Sequence, residues 1–127
     1  MSAIEPPGWP KPKGYANGIL LEGRMLFIAG QIGRDPAGHW GDDLPAQVAV
    51  ALRNIAAVLE AAGGAPNQIA RLTWYMTDLA DYAARQKEIG AAYRSVMGRH
   101  FPAMTAVEVR RLVEPQALVE IEATAVL

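Results

Sequence analysis

The fold is decided by residues 42–64, which read DDLPAQVAVALRNIAAVLEAAGG. Aspartate shortly before proline is typical of a helix start, because a carboxylate caps the free N–H groups and proline is tolerated in the first turn. Gly63-Gly64 is typical of a helix end. Apolar side chains recur between them at helical spacing, and they are Val48, Leu52, Ile55 and Leu59, widened by Ala51, Val58 and Ala62. We predict a long helix with one side in the core.

A strand and a second helix are predicted after this helix. Residues 68–77 are rich in β-branched and aromatic side chains and end at Asp78. Residues 79–96 have helical spacing, with Gly98 as the terminator and one side formed by Tyr82, Ile89, Tyr93 and Val96.

The N-terminal part is predicted to hold an arm and a hairpin. Four of the nine prolines lie in residues 6–14, which favours an extended arm because proline lacks an N–H donor. We therefore divide the chain into a proline-rich arm, residues 1–13, and one domain, residues 14–127. Within that domain, residues 19–21 and 25–29 flank a glycine-containing turn and are predicted to pair.

Two strands are predicted at the C-terminal end, on either side of a turn at Pro115. One follows Pro102, and the other covers residues 118–125, where polar and apolar side chains alternate. The element order is then ββαβαββ, which indicates an α+β fold with a six-stranded mixed sheet and two helices on one face. The other face needs a cover, so we expect a homo-oligomer with sites where subunits meet.

Composition narrows the function classes. The 127 residues suffice for one domain, and 51% hydrophobic with 20% charged residues is a globular composition. A net charge of −1 argues against a nucleic-acid partner. The chain has no cysteine, which favours the cytoplasm and excludes thiolate chemistry. No apolar run approaches the roughly 20 residues of a membrane span, and we expect no membrane partner.

Familiar catalytic sets are missing from the sequence. His39 and His100 are the only histidines, and neither belongs to a zinc-binding spacing, so no metal is expected. No phosphate-binding glycine loop is found, and no cofactor is expected. Glu120 and Glu122 share one strand face. They form a solvated pair if that face is exposed, or include a general acid or base if a neighbouring subunit covers them.

Four segments, taken together and in order, resemble the Rid family of YjgF-like enamine/imine deaminases. They are Ala29-Gly30-Gln31-Ile32, Phe101-Pro102-Ala103, Val107-Glu108-Val109 and Val119-Glu120-Ile121-Glu122-Ala123. The resemblance extends from about residue 14 to 126. It implies a chorismate-mutase-like fold and a homotrimer with its small-molecule sites in clefts between subunits.

The resemblance also assigns site residues. Glu120 matches the glutamate that orders water near the substrate, Tyr15 matches a tyrosine that closes the cleft, and Gly30 matches a glycine whose backbone lines it. Thr105 keeps a hydroxyl where the family often has serine. Ala106 replaces a common cysteine.

Met104 is the main departure from the family pattern. In the deaminating branch this position is an arginine that grips the substrate carboxylate, and methionine has no donor to replace it. A cation from elsewhere would have to supply the charge, and Arg24, Arg34 and Lys87 are candidates. Set apart from the resemblance, Met104 is also compatible with simple core packing.

Three functions stay open on this reading. The first is deamination of an enamine or imine that is not anchored by this arginine, for instance an aminomuconate-like compound. The second is a non-catalytic metabolite-binding or sensor protein of the same fold. The third, an endoribonuclease or translation inhibitor, is least favoured because the chain has no histidine pair and no basic aromatic patch.

Overall fold

Six strands and three helices make up the chain in the computed structural model, which describes residues 2–127. Met1, the first residue of the predicted arm, lies outside the described residues. The strands are β1 (Ser2–Ile4), β2 (Gly18–Leu20), β3 (Met25–Ile32), β4 (Ile69–Met76), β5 (Ala103–Glu108) and β6 (Val119–Val126). The helices are α1 (Leu44–Ala61), α2 (Leu79–Ala84) and α3 (Gln86–Met97), with a 3-10 turn at Pro66–Gln68.

The strands form two sheets, so the prediction of one six-stranded sheet is wrong. The main sheet has four strands in the order β3-β6-β4-β5, and β1 pairs with β2 in a separate two-stranded ribbon. Strands β4 and β5 are parallel, whereas β6 is antiparallel to both of its neighbours. The prediction of a mixed sheet in an α+β fold is confirmed.

The predicted hairpin between residues 19–21 and 25–29 is also wrong, and the turn between them explains why. The N–H of Arg24 donates to the carbonyl of Leu127 at 3.1 Å, and the N–H of Leu127 donates back to the carbonyl of Arg24 at 2.8 Å. Gly23 has φ +141° and lies so close to Leu127 that a Cβ would collide with it. The start of β3 is thus bound to the C-terminal end of the chain, and β2 is left to pair with β1.

The long helix α1 forms as predicted. The Asp43 carboxylate accepts a hydrogen bond from the N–H of Ala46 at 3.0 Å, and Pro45 lies in the first turn. The helix ends before Gly63, whose φ of +82° is the left-handed conformation that stops helices. Its buried side includes the predicted stripe, in which Val48, Leu52, Ile55 and Leu59 are all completely buried.

The second predicted helix is broken into α2 and α3. Arg85 leaves helical geometry at φ −118° and ψ 29°. Its guanidinium then bonds Asp81 at 2.9 Å and the cap residue Asp43 at 3.0 Å. The break lets one arginine connect α2 with the start of α1, an arrangement that the spacing of apolar residues does not encode.

The main sheet has one face packed on the helices and one without cover, which we call the open face. Side chains of β6 alternate between the two, so that Val119, Ile121, Ala123 and Ala125 are buried under the helices. The open face carries Arg71, Thr73 and Tyr75 of β4 and Glu120, Glu122 and Thr124 of β6. It also presents Phe27 of β3 at 72% exposure and Met25 at 59%.

Helix α1 is long and apolar enough to pass a length and hydropathy test for a membrane span. Half of that stretch is buried inside the fold, where its apolar side chains form the core beneath the sheet. The core helix of a folded domain passes the same test, so the helix carries little weight as a membrane signal.

Candidate functional site

A cavity of about 440 Å³ lies between α3, the edge strand β5 and the segment Lys13–Tyr15. The strands supply Trp74, Met104 and Ala106, and the helices supply Tyr82, Gln86, Ile89, Gly90, Tyr93 and Arg94; Lys13, Gly14, Tyr15 and Phe101 complete the lining. The volume is within the range of small-molecule sites. Neither aspartate nor glutamate is part of this lining.

Three of the predicted site residues meet in this cavity. Tyr15 is 41% exposed at its rim. Met104 pairs in register with Leu72, and Ala106 with Trp74, so both are on the helix side of β5. Met104 also packs against the core. The position where the family resemblance expects an arginine therefore does face a cavity, with a thioether in place of a guanidinium.

Glu120 and Gly30 meet elsewhere, at the open face. Gly30 lies in a bulge where the register of β3 shifts against β6. A Cβ at residue 30 would collide with the carboxylate of Glu120, so only glycine lets this half-buried side chain lie where it does. Glycine at such a bulge permits close approach.

Thr105 lies on the open side of β5, in register with Thr73, and is exposed. The six predicted residues therefore fall into two groups on opposite sides of the sheet. One chain alone does not bring Glu120 and Thr105 to the cavity that Met104 lines.

The two glutamates of β6 have different environments. The hydroxyl of Tyr75 donates a hydrogen bond to the Glu122 carboxylate at 2.7 Å, and this bond raises the pKa of Tyr75 above its ordinary value. Glu120 has no hydrogen-bond partner among residues 2–127. Of the pair, Glu120 is the one whose carboxylate stays free to act on a ligand.

Two cations at the cavity were missed by sequence reasoning, namely Lys13 and Arg94. The three cations proposed from sequence, Arg24, Arg34 and Lys87, are not part of its lining. One signal was available for Arg94. Glycine in a helix interior is unfavourable and often has a packing reason, and Gly90 stands one turn before Arg94 on α3.

Aromatic rings form the inner wall of the cavity. The rings of Trp74 and Tyr93 are 6.3 Å apart at 25°, and those of Tyr93 and Phe101 are 5.6 Å apart at 10°. Tyr82 meets Trp74 edge-on at 6.4 Å. Burial raises the pKa of Tyr93 well above its ordinary value.

The histidines lie apart from both groups. His39 is exposed beside Asp35, and Nε2 of His100 is hydrogen-bonded to the carbonyl of Ile69 at 2.7 Å. Within residues 2–127 no group of three or more histidine, cysteine, aspartate or glutamate side chains is placed to hold a metal ion.

Comparison with known proteins places this geometry in a family. The family model described as Endoribonuclease L-PSP matches residues 10–127. A RutC family protein of Pyrococcus horikoshii is 42% identical over 120 residues, which cover 91% of this chain and 90% of that protein. The chain belongs to the Rid family. The Rid match begins inside the predicted arm, at residue 10, and includes every predicted site residue.

Two further Rid relatives bear on the site. A 2-iminobutanoate/2-iminopropanoate deaminase of Salmonella typhimurium is 38% identical over 116 residues, covering 88% of this chain and 86% of its own length. A solved structure of a Rid family protein from Yersinia pestis has a TM-score of 0.82 and 36% identity, and the match covers 99% of this chain and 98% of that one. The agreement over nearly the whole chain establishes the Rid fold here.

Proposed function

We propose that this chain hydrolyses an enamine or imine to a carbonyl compound and ammonia. The observation that carries the proposal is the Glu120 carboxylate, half-buried against Gly30 in a position that no other residue at 30 would permit. The deaminase relative of Salmonella typhimurium supports the reaction type. A carboxylate in this setting can serve as a general base for an attacking water.

In the proposed reaction an enamine first tautomerises to the imine, or the imine binds directly. Glu120 takes a proton from water while the water oxygen bonds to the imine carbon, and the protonated Glu120 then gives that proton to the nitrogen. The resulting carbinolamine then loses ammonia as the C–N bond breaks and the C=O bond forms. The balance is imine plus water giving carbonyl plus ammonia, with no redox change and no cofactor. Thr105 is the second residue that we propose to act in this reaction, through its hydroxyl.

The proposal includes a homotrimer in the cytoplasm. The open face exposes Phe27 and Met25, which are large apolar side chains that a second copy would cover. A crevice between protomers would combine the cavity of one chain with Glu120 and Gly30 of its neighbour. Tyr15, Met104 and Ala106 would then contact the substrate while the neighbouring Glu120 activates water.

Met104 shapes the substrate range. A thioether donates no hydrogen bond, and losing a charged contact removes about 1.5–3 kcal/mol of binding. Small 2-imino acids, which depend on such a contact, should therefore be poor substrates. Conjugated enamines of the aminomuconate type are better suited, because their longer, planar carbon skeletons can pack against the aromatic rings of the cavity.

The experiment is ammonia release from a panel of enzymatically generated substrates, including 2-iminopropanoate, 2-iminobutanoate and a conjugated enamine. We expect turnover of the conjugated compound, and a fall of about 100-fold or more in Glu120→Gln, the usual size of a general-base effect. Glu114→Gln is the matched control, since Glu114 is an exposed turn residue. Met104→Arg should gain activity on 2-iminopropanoate. No ammonia from any substrate, with a folded trimer in sedimentation, would overturn the proposal.

A metabolite-binding role is the second candidate. It is favoured by the same cavity, because a largely aromatic site can bind without turnover. Stabilisation in a metabolite thermal-shift screen without any ammonia release would select it. RNA cleavage is the least favoured alternative, and a salt-dependent gel shift with RNA would be needed to support it.

A further inference from the structure

One residue of the cavity lining has a buried hydrogen-bond donor without a partner among residues 2–127. Trp74 is only 3% exposed, and its indole Nε1 has no hydrogen-bond partner among residues 2–127. Buried N–H groups in folded proteins are nearly always paired, and an exception at a cavity points to a ligand acceptor. Because Trp74 is part of the cavity lining, we take a ligand bound there as the candidate acceptor for this donor.

The cavity is also electropositive. Arg94 and Lys13 are both part of its lining, which includes no acidic residue. Neither cation belongs to an ion pair among the described residues. In a chain of net charge −1, two unpaired cations around one acid-free cavity favour an anionic ligand.

Gly90 explains how Arg94 reaches the cavity. A Cβ at residue 90 would lie 3.1 Å from Nη1 of Arg94, so the guanidinium folds back over the bare backbone of the preceding turn. Helical side chains lean toward the helix N-terminus in this way. A larger residue at 90 would push the guanidinium away, and glycine therefore helps position the arginine.

The aromatic rings of the cavity favour a ligand of a particular shape. Trp74, Tyr93 and Phe101 form a series of stacked rings, and Tyr82 closes one side edge-on. Phe101 and Tyr82 are the partly exposed rings of this set, and a flat, conjugated molecule packs well against aromatic rings. A ligand that packs against the aromatic rings, pairs with the cations and accepts a hydrogen bond from the indole N–H is both planar and negatively charged.

We propose that this cavity binds planar conjugated carboxylates, with Arg94 of α3 as the anchor for the carboxylate and the Trp74 N–H as a second donor. The anchor then comes from a different element than position 104 on β5. As a statement about the substrate class this rests on the proposed function, but the binding claim is tested without any turnover.

The test is calorimetric titration of the intact protein with hexa-2,4-dienoate. Two matched probes separate the requirements, since hexa-2,4-dien-1-ol lacks the charge and hexanoate lacks the planar diene. We expect the dienoate to bind about tenfold more tightly than either, and Arg94→Gln to weaken it about tenfold, the effect of one charged contact. Binding of the alcohol should be unchanged in this variant.

Three further variants sharpen the result. Arg99→Gln removes an exposed arginine that is outside the cavity lining and should leave dienoate binding unchanged. Gly90→Leu should weaken binding severalfold by displacing the Arg94 guanidinium; leucine is chosen because an alanine Cβ alone would lie at 3.1 Å and require only a small shift. Trp74→Phe should weaken dienoate binding more than Tyr82→Phe does, and a thermal melt checks that the variant is folded. No binding of the dienoate by the wild-type protein, or equal losses in Arg94→Gln and Arg99→Gln, would overturn the proposal.

The outcomes also separate this inference from the proposed function. If ammonia is released and the dienoate binds equally well to Arg94→Gln, the role of Arg94 as the anchor is refuted and the proposed deaminase activity is not. If the dienoate binds in an Arg94-dependent way but no substrate releases ammonia, the proposed deaminase activity is refuted and the proposed binding site is not. If both hold, Arg94→Gln should raise KM for the conjugated substrate with little change in kcat, as expected for a residue that binds ground state and transition state alike.

Discussion

Replacing Gln47 with leucine tests how the strand that carries Glu120 is held. Gln47 is a polar residue of α1 that is only 2% exposed. Its Nε2 donates to the carbonyls of Gly41 at 3.2 Å and Gln116 at 3.1 Å, and its Oε1 accepts from the N–H of Leu118 at 2.8 Å. One side chain thereby connects the first turns of α1 to the segment that leads into β6.

The magnitude follows from those three hydrogen bonds. Leucine fills nearly the same volume but leaves the Leu118 N–H without a partner, which costs about 1–3 kcal/mol. Gln116 is exposed and Gly41 is half-buried, so water replaces part of both bonds to their carbonyls, and the loss of these bonds adds about 1 kcal/mol together. We expect a loss of about 3 kcal/mol in the free energy of unfolding, or about 10 °C in Tm for a chain of this length.

The assay is urea unfolding followed by circular dichroism, with Gln116→Leu as the matched control. The Gln116 residue is exposed and only its carbonyl takes part in the bonds above, so the control should stay within about 0.5 kcal/mol of the wild type. Deamination should also fall in Gln47→Leu, because Glu120 lies two residues after Leu118. A change in unfolding free energy below about 1 kcal/mol would refute the reasoning, since the loss of three partly buried hydrogen bonds must cost at least that much.

Two other outcomes are expected. Gly30→Ala should lower deamination about 100-fold, because the added Cβ pushes the Glu120 carboxylate roughly 1 Å from its position. Gly18→Ala is the control and should not lower activity, since its Cβ would meet only Ile4 at an ordinary 3.6 Å. Equal activity in both variants would show that the position of Glu120 is unimportant. Because burial raises the pKa of Tyr93 in the folded state, the contribution of Tyr93 to the unfolding free energy should be constant below its unfolded pKa of about 10 and fall as pH rises above it. Tyr93→Phe should reduce that alkaline slope in urea titrations at pH 8 and 11, and an unchanged slope would contradict the assignment.

Local patterns were enough to predict some elements correctly. The N-cap at Asp43, the apolar stripe of α1 and the stop at Gly63 depend on side chains within a few residues of one another. The alternation in β6 likewise sorts its side chains onto two faces. The family motifs added Met104 and Glu120 as residues to examine, and the structure places the first at a cavity and the second against Gly30.

Partners distant in sequence decided what local patterns could not. The backbone N–H and carbonyl of Arg24 are hydrogen-bonded to Leu127, and β3 pairs with the last strand instead of β2. The helix breaks at Arg85, whose guanidinium is paired with the distant Asp43. Gln47 resembles a surface residue in sequence, yet its bonds span about seventy positions.

The amino-acid sequence by itself determined the long helix, the alternating last strand and membership in a family, because each of these depends on the order of neighbouring residues. Only the tertiary structure decided which strands pair, which glutamate stays free, and that Arg94 and Trp74 line one cavity. Those outcomes depend on hydrogen-bond partners and close packing between segments far apart in the chain. The strength of such contacts is set by geometry that spacing and composition do not record.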